Sequence, residues 1–221
     1  MVENEQDLLA LATQLSGLTI GQLAARFGEI VPATQHKAKG WVGQLIERAL
    51  GAKAGSLPIA DFPELGVELK TIPVNTKGKP RESTYVCTVQ LRQQYGITFE
   101  QTVVYQKLRR VLWVPIEAEP AIALIDRQIH APLLWSPSET QLNQLREDWQ
   151  ELTDMIALGE LEMISAQLGE YLHIRPKAAD ARSLTTATNF LGEPTMTLPR
   201  GFYLRSSFTE QIIKSIDLTC S

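Results

Sequence analysis

Within the segment Asp61-Phe-Pro-Glu-Leu-Gly-Val-Glu68-Leu-Lys70, the acids Asp61 and Glu68 and the lysine Lys70 stand at a spacing that can cut a phosphodiester. Cutting that bond needs an activated water, charge neutralisation on the phosphate and stabilisation of the leaving oxygen. A magnesium ion held by two carboxylates, with positions left for water and phosphate, can serve all three. A lysine beside it can orient or deprotonate the water and stabilise developing charge. Glu68 and Lys70 are two apart, so on a strand both project from one face. Asp61 enters from the loop before that strand. Leu69 faces the core, yet its backbone carbonyl can still reach a metal. Glu47, late in the preceding helix, is a third carboxylate able to approach the same place. The pattern alone leaves a second reading open. Glu-x-Lys is common on exposed strands, where the ion pair contributes about 0–1 kcal/mol. Glu47 can equally sit on a solvated helix end, paired with Arg48 or Lys53.

The elements that must hold these residues follow from periodicity. Leu8, Leu9, Ala12 and Leu15 line one side of a helix over 5–15 that Gly17 stops. Thr19 and Gln22 form a capping box opening a short helix to about Phe27. Gly40 precedes a third helix, WVGQLIERAL, with Val42, Leu45, Ile46 and Leu50 toward the core and Gly51 at its end. Residues 66–74 alternate as a strand, and 83–91 read as a second. The turn-rich, basic link NTKGKPRE between them predicts a hairpin. RVLWVPIE (110–117) is a third strand, with short candidates near 120–124 and 131–135. Ser136, Pro137 and Glu139 predict a helix start, with Ser136 as N-cap. Leu142, Leu145, Trp149, Leu152 and Ile156 form the apolar stripe of that helix. YLHIRP (171–176) is extended, RPKAADARSL is a basic loop or helix entry, 202–205 a strand and 209–216 a last short helix. The mixture predicts an α/β (α+β) fold with a mixed sheet, spanning 1–221 as one domain.

Composition sets the outer bounds. The chain has 221 residues, 44% apolar and 21% charged, ordinary for a globular domain. No apolar run approaches the roughly 20 residues a membrane span needs. The acidic, amphipathic N-terminus lacks the pattern of a secretory signal. Cys87 and Cys220 make no disulfide framework, and His36, His130 and His173 no metal cluster, so a reducing cytoplasm is the expected setting. Net charge is −4, which speaks mildly against nucleic-acid binding. Eight acids and one base fall between Glu139 and Glu170, however, so the remainder is net basic and an acidic average can conceal a basic surface. The acids of the helix read over 139–170 are expected on its outer face. Lys77, Lys79, Arg81, Arg109 and Arg110 are candidates for phosphate contact.

At this point the sequence resembles the MutH family of DNA mismatch-repair endonucleases. The resemblance runs from QLSGLTIGQLA (14–24) to LPRGFYL (198–204). It is carried by KGWVGQLIE (39–47), DFPELGVELKTIPV (61–74), KLRRVLWVP (107–115), PLLWSPSE (132–139), LREDWQELTDMIALG (145–159) and GEYLHIRPKAA (169–179). It implies a restriction-endonuclease-like mixed sheet flanked by helices, in a monomer whose two lobes surround a DNA cleft. It implies magnesium, with Mn2+ or Ca2+ able to replace it for binding, and nicking of the unmethylated strand at hemimethylated GATC sites. It also implies stimulation by the ATPase MutL, itself recruited by MutS. By the same resemblance Asp61 and Glu68, with the Leu69 carbonyl, look like the metal ligands and Lys70 like the catalytic lysine. Glu47 and Lys107 look like supporting catalytic groups, and Lys39 like a residue at the DNA or activator side. Arg175-Pro176-Lys177 resembles the loop that enters DNA, Tyr203 the tyrosine near the methylatable adenine, and Tyr85 an aromatic DNA neighbour. Read without the resemblance, these cations and tyrosines are also ordinary surface residues. Two other functions remain: a restriction enzyme cutting both strands without an activator, and a non-catalytic DNA-binding protein of the same fold. The short single-domain chain and the intact Asp61, Glu68 and Lys70 favour the nickase.

Overall fold

The computed structural model describes residues 2–33, 38, 40–55, 57–91, 96–177 and 183–215. They form two compact units. Unit 1 takes residues 1–82, 109–136 and 210–221. Unit 2 takes 83–108 and 137–209. Lys39 and half of the basic 175–184 loop, residues 178–182, fall outside the described residues, as does the C-terminal end of the expected last helix.

Unit 1 opens with helices α1 (Glu5–Thr13), α2 (Ile20–Arg26) and α3 (Trp41–Leu50). The Thr19–Gln22 capping box is present in both directions, Gln22 N to Thr19 Oγ1 at 3.1 Å and Thr19 N to Gln22 Oε1 at 2.9 Å. Leu8, Ala12, Leu23, Leu45, Ile46 and Leu50 pack with Val67, Leu69, Leu112 and Val114 into one core. The strands of that core are β1 (Glu68–Val74), β3 (Val111–Glu117) and β4 (Leu133–Trp135), ordered β1-β3-β4. β1 runs parallel to β3, with Glu68 opposite Val111 and Lys70 opposite Trp113. β4 is antiparallel to β3, so the sheet is mixed.

This pairing replaces the expected hairpin. The chain does reverse after β1: Asn75 N donates to Lys79 O at 2.9 Å, and Arg81 N to Pro73 O at 2.9 Å. The pairing stops there. Pro80, opposite Val74, has no N–H to extend a ladder. β3, buried along 111–116, pairs along the other edge of β1. A strand apolar on both faces suits such a position. The expected strand near 120–124 is absent too; a 3-10 turn over Leu124–Asp126 follows that stretch.

Unit 2 contains β2 (Thr84–Thr88), α4 (Val103–Leu108), α5 (Glu139–Ala157), β5 (Leu172–Pro176), β6 (Thr185–Thr188), β7 (Pro194–Thr197) and β8 (Arg200–Leu204). A last helix, α6 (Ser206–Lys214), begins three residues before the expected start and crosses the unit boundary. β8 is the middle strand of an antiparallel sheet, β2-β8-β5, and β6 pairs with β7 in a hairpin absent from the sequence reading. Val86, Leu172, Ile174, Phe202 and Leu204 are buried, and α5 packs on β5. The N-cap of α5 is Ser138 with Gln141 completing the box, two residues beyond the expected Ser136. Ser136 Oγ instead donates to Arg109 O at 2.8 Å. Among the described residues no helix is long and apolar enough to cross a membrane.

Asp148 corrects the expected outer acid face of α5. It is buried and accepts from the backbone N–H groups of Glu170 (2.9 Å), Tyr171 (2.7 Å) and Leu172 (2.8 Å), and from Gln144 Nε2 (3.0 Å). A short acceptor-only side chain on the helix thus fixes the turn that starts β5. Asp148→Ala would strand those donors and is expected to cost about 3 kcal/mol. Urea unfolding should show a lower midpoint with an unchanged slope.

Candidate functional site

The site in unit 1 is built by a loop folding back on the strand that follows it. Phe62 N donates to Val67 O at 2.9 Å and Val67 N to Phe62 O at 3.3 Å, closing a turn over Pro63–Gly66. Gly66 has φ +65°, and a Cβ there would lie 2.6 Å from the Arg109 guanidinium. The turn delivers Asp61 back to β1, where its Oδ2 accepts from Leu69 N at 2.9 Å in a buried bond. Lys53 N donates to Asp61 O at 3.0 Å, tying the end of α3 to the same residue.

Glu68 and Lys70 project from one face of β1, and Lys70 Nζ donates to Glu68 Oε1 at 2.5 Å. Asp61 and Glu68 are both buried, Glu68 to 1% exposure, while Lys70 is only partly covered. This is far from a solvated strand pair. Parallel pairing to β3 causes it: Val111 and Trp113, both fully buried, lie beside Glu68 and Lys70 in register. Removing a carboxylate from water costs several kcal/mol unless charge and donors replace the water. A buried cation–carboxylate pair on a strand is therefore a costly arrangement and marks this place as the candidate site.

Glu47 is half-buried in the last turn of α3, which packs on β1. Its two sequence neighbours of opposite charge are engaged elsewhere: Arg48 with Glu29, and Lys53 with Glu64 at 2.7 Å. Among the described residues no group of three or more His, Cys, Asp or Glu side chains forms a ready metal cage. Of the phosphate candidates, Arg110 is clamped to Glu5, Arg81 pairs with Glu119 at 3.1 Å, and Lys79 lies 3.7 Å from Glu210. Lys107 belongs to unit 2, in the last turn of α4.

Arg175, Lys177, Tyr203 and Tyr85 converge on one face of the β2-β8-β5 sheet, while Pro176, opposite Arg200, lies on the other. Tyr85 is opposite Tyr203, His173 is opposite Tyr203, and Arg175 is opposite Gly201. The two tyrosine rings meet edge to face with centroids 5.4 Å apart. The Arg175 guanidinium stands 5.7 Å from the Tyr203 centroid and the Lys177 ammonium 3.7 Å from that of Tyr85. Lys177 N donates to Pro199 O at 2.7 Å, which holds the residue after β5 to the start of β8. Tyr85 Oη and Thr88 Oγ1 are 3.0 Å apart. Arg175, Pro176 and Lys177 are exposed and the tyrosines half-buried. Cations on aromatic faces, beside hydroxyls, suit a surface that meets phosphates and base edges.

Sequence reading missed three members of this face: Thr88, His173 and Gly201. Strand alternation carried the signal for His173, two residues before Arg175, but only the pairing with β8 sets it beside Tyr203. His173 Nε2 lies 3.2 Å from Ser83 Oγ. Burial pushes its pKa below the ordinary 6.5, and the Arg205 and Arg175 charges push the same way against the Ala166 carbonyl.

Comparison with known proteins gives one consistent result. Residues 50–148 match the family model described as DNA mismatch repair enzyme MutH. The chain is 54% identical over 211 residues to the DNA mismatch repair protein MutH of Escherichia coli (strain K12), covering 96% of this chain and 92% of that protein. The MutH protein of Shigella flexneri matches with the same identity and coverage.

The lowered His173 pKa has a signed consequence for stability. The unfolded chain binds the proton more readily than the folded one, so the contribution of the neutral ring is complete above about pH 6.5 and is lost as pH falls below it. The unfolding free energy of the parent should therefore decline from pH 7.5 to pH 5. His173→Gln should flatten that decline, as read from urea titrations at each pH.

Proposed function

Because the chain belongs to the MutH family of DNA mismatch-repair enzymes, we propose that it nicks the unmethylated strand of hemimethylated GATC sites using magnesium. The observation that carries this reading is the pair of buried carboxylates, Asp61 anchored to β1 through Leu69 and Glu68 on that strand, with Lys70 held beside Glu68. Its donor set fits a hard cation: two carboxylates and a nearby backbone carbonyl at Leu69 leave room for the water and phosphate ligands magnesium prefers. Magnesium, when bound, supplies Lewis-acid charge that polarises the phosphate and the attacking water.

The protein's own part is placement. The Leu69 amide holds Asp61 in one orientation, and Glu68 holds the Lys70 ammonium. Lys70 Nζ can then donate to the attacking water or to a phosphate oxygen as negative charge builds there. Lys107 adds a cation toward the phosphate and Glu47 a supporting carboxylate. Arg175, Pro176, Lys177 and Tyr203 read the GATC base edges, where the N6 group of adenine is presented in the major groove, with Tyr85 as an aromatic neighbour of the DNA. Lys39 completes the reading on the DNA or activator side. The protein works as a monomer in the cytoplasm, with MutL as activator and MutS acting through it.

Hemimethylated GATC duplex with magnesium is the direct test. A nick confined to the unmethylated strand, accelerated by MutL and ATP, is expected; rapid cutting of both strands without MutL points to a restriction enzyme instead. Asp61→Asn and Lys70→Ala should each lower nicking about 10³-fold while duplex binding persists, in the range for removing a preorganised electrostatic group. Equal nicking by parent and both variants would overturn the site.

A further inference from the structure

Gly201 sits in the middle of the face that carries the candidate base-reading residues, on the central strand and opposite Arg175. Its backbone is not left-handed, so no conformational demand requires glycine. The space above it does. A Cβ at this position would stand 2.9 Å from Tyr85 Cε2, 3.0 Å from Tyr203 Cε2 and 3.3 Å from Tyr85 Cδ2. Both rings fold over the bare backbone, and they meet edge to face directly above it. Lys177 rests on the Tyr85 ring and Arg175 lies by the Tyr203 ring. The order from the sheet outward is glycine, tyrosine pair, cations.

We propose that Gly201 and Tyr85 are specificity-determining positioning residues: the missing side chain seats the two rings, and the seated rings fix where Lys177 and Arg175 present their charges. This rests on the reading above, that Arg175 and Lys177 meet base edges. Tyr85 acts through Lys177. Its hydroxyl is occupied by Thr88, and its ring face by the ammonium. Ring height matters because a guanidinium or ammonium discriminates bases through contacts that depend on fixed geometry, whereas attraction to phosphate needs only charge nearby.

The experiment compares affinity for a GATC duplex with affinity for a scrambled duplex of the same length, for the parent, Gly201→Ala, Tyr85→Leu and Tyr85→Phe. Thermal unfolding accompanies each. Gly201→Ala and Tyr85→Leu should each reduce the GATC-to-scrambled ratio about tenfold, near the low end of what one good base contact contributes. The salt dependence of scrambled-duplex binding should keep its slope, since the cations remain. Tyr85→Phe keeps the ring and should restore the parent ratio. Tyr85→Leu replaces a half-exposed side chain and decides the matter should Gly201→Ala fail to fold. Parent-like ratios in Tyr85→Leu, or in folded Gly201→Ala, overturn the assignment while leaving the base-reading role of the face intact. A parent with no preference for GATC overturns that role, and this inference with it.

Discussion

The bond from Leu69 N–H to Asp61 Oδ2 is the constraint on which the candidate site of unit 1 depends. Leu69 lies between Glu68 and Lys70, so an acid seven residues upstream of Glu68 is anchored to the backbone of the segment bearing the other two groups. The anchor works because Leu69 also faces the core, where Val67, Leu112 and Val114 hold it. One residue thus joins two demands: its side chain secures the strand, and its amide orients the acid. The Phe62–Val67 turn supplies the return path, and Gly66 permits its tight geometry. Position in the site is therefore inherited from packing in the core. A carboxylate held by a rigid amide needs little rearrangement when charge develops nearby, and that is how preorganised groups gain effect.

Local signals carried the elements and the spacing of Asp61, Glu68 and Lys70. The α3 segment coincides with WVGQLIERAL, because a glycine at each end and an apolar stripe leave little choice. The Thr19 box, the helical stripe of 145–156 and the alternation at β1 were legible for the same reason: each depends on neighbours within about one turn or one strand. Partner choice was not legible. The basic turn after β1 reads as a hairpin and does turn, yet β1 pairs with β3 because β3 offers an edge buried on both sides. Asp148 looked like one more acid on a solvated helix. What separates it from exposed Glu147 is a trio of backbone donors more than twenty residues away. No window of sequence contains that contact.

The aromatic face teaches the same lesson at a finer scale. Arg175, Lys177, Tyr85 and Tyr203 were each identifiable as residues able to meet DNA, but as separate candidates from three distant segments. The register of β2 and β5 on β8 makes them neighbours. The same register explains why His173 stays neutral-favouring: it is covered by the sheet and flanked by Arg205 and Arg175. A glycine between two tyrosines' reach carries no chemical group to notice. Its meaning is the volume it leaves to others.

Neither unit is continuous along the chain. β1 and β3 are adjacent in space, yet the residues between them include 83–108, which belong to unit 2, and that unit is resumed only at 137. Its sheet in turn joins 84–88, 200–204 and 172–176. Such a topology has high contact order: much loop-closure entropy must be spent before the pairings that stabilise either sheet can form. A ribosome that has released only the first hundred residues has exposed β1 without its partner strand. Asp61 and Glu68 are thus written early in the chain but can be locked into place only after a later segment returns, so assembly of the candidate site is tied to completion of the fold around it.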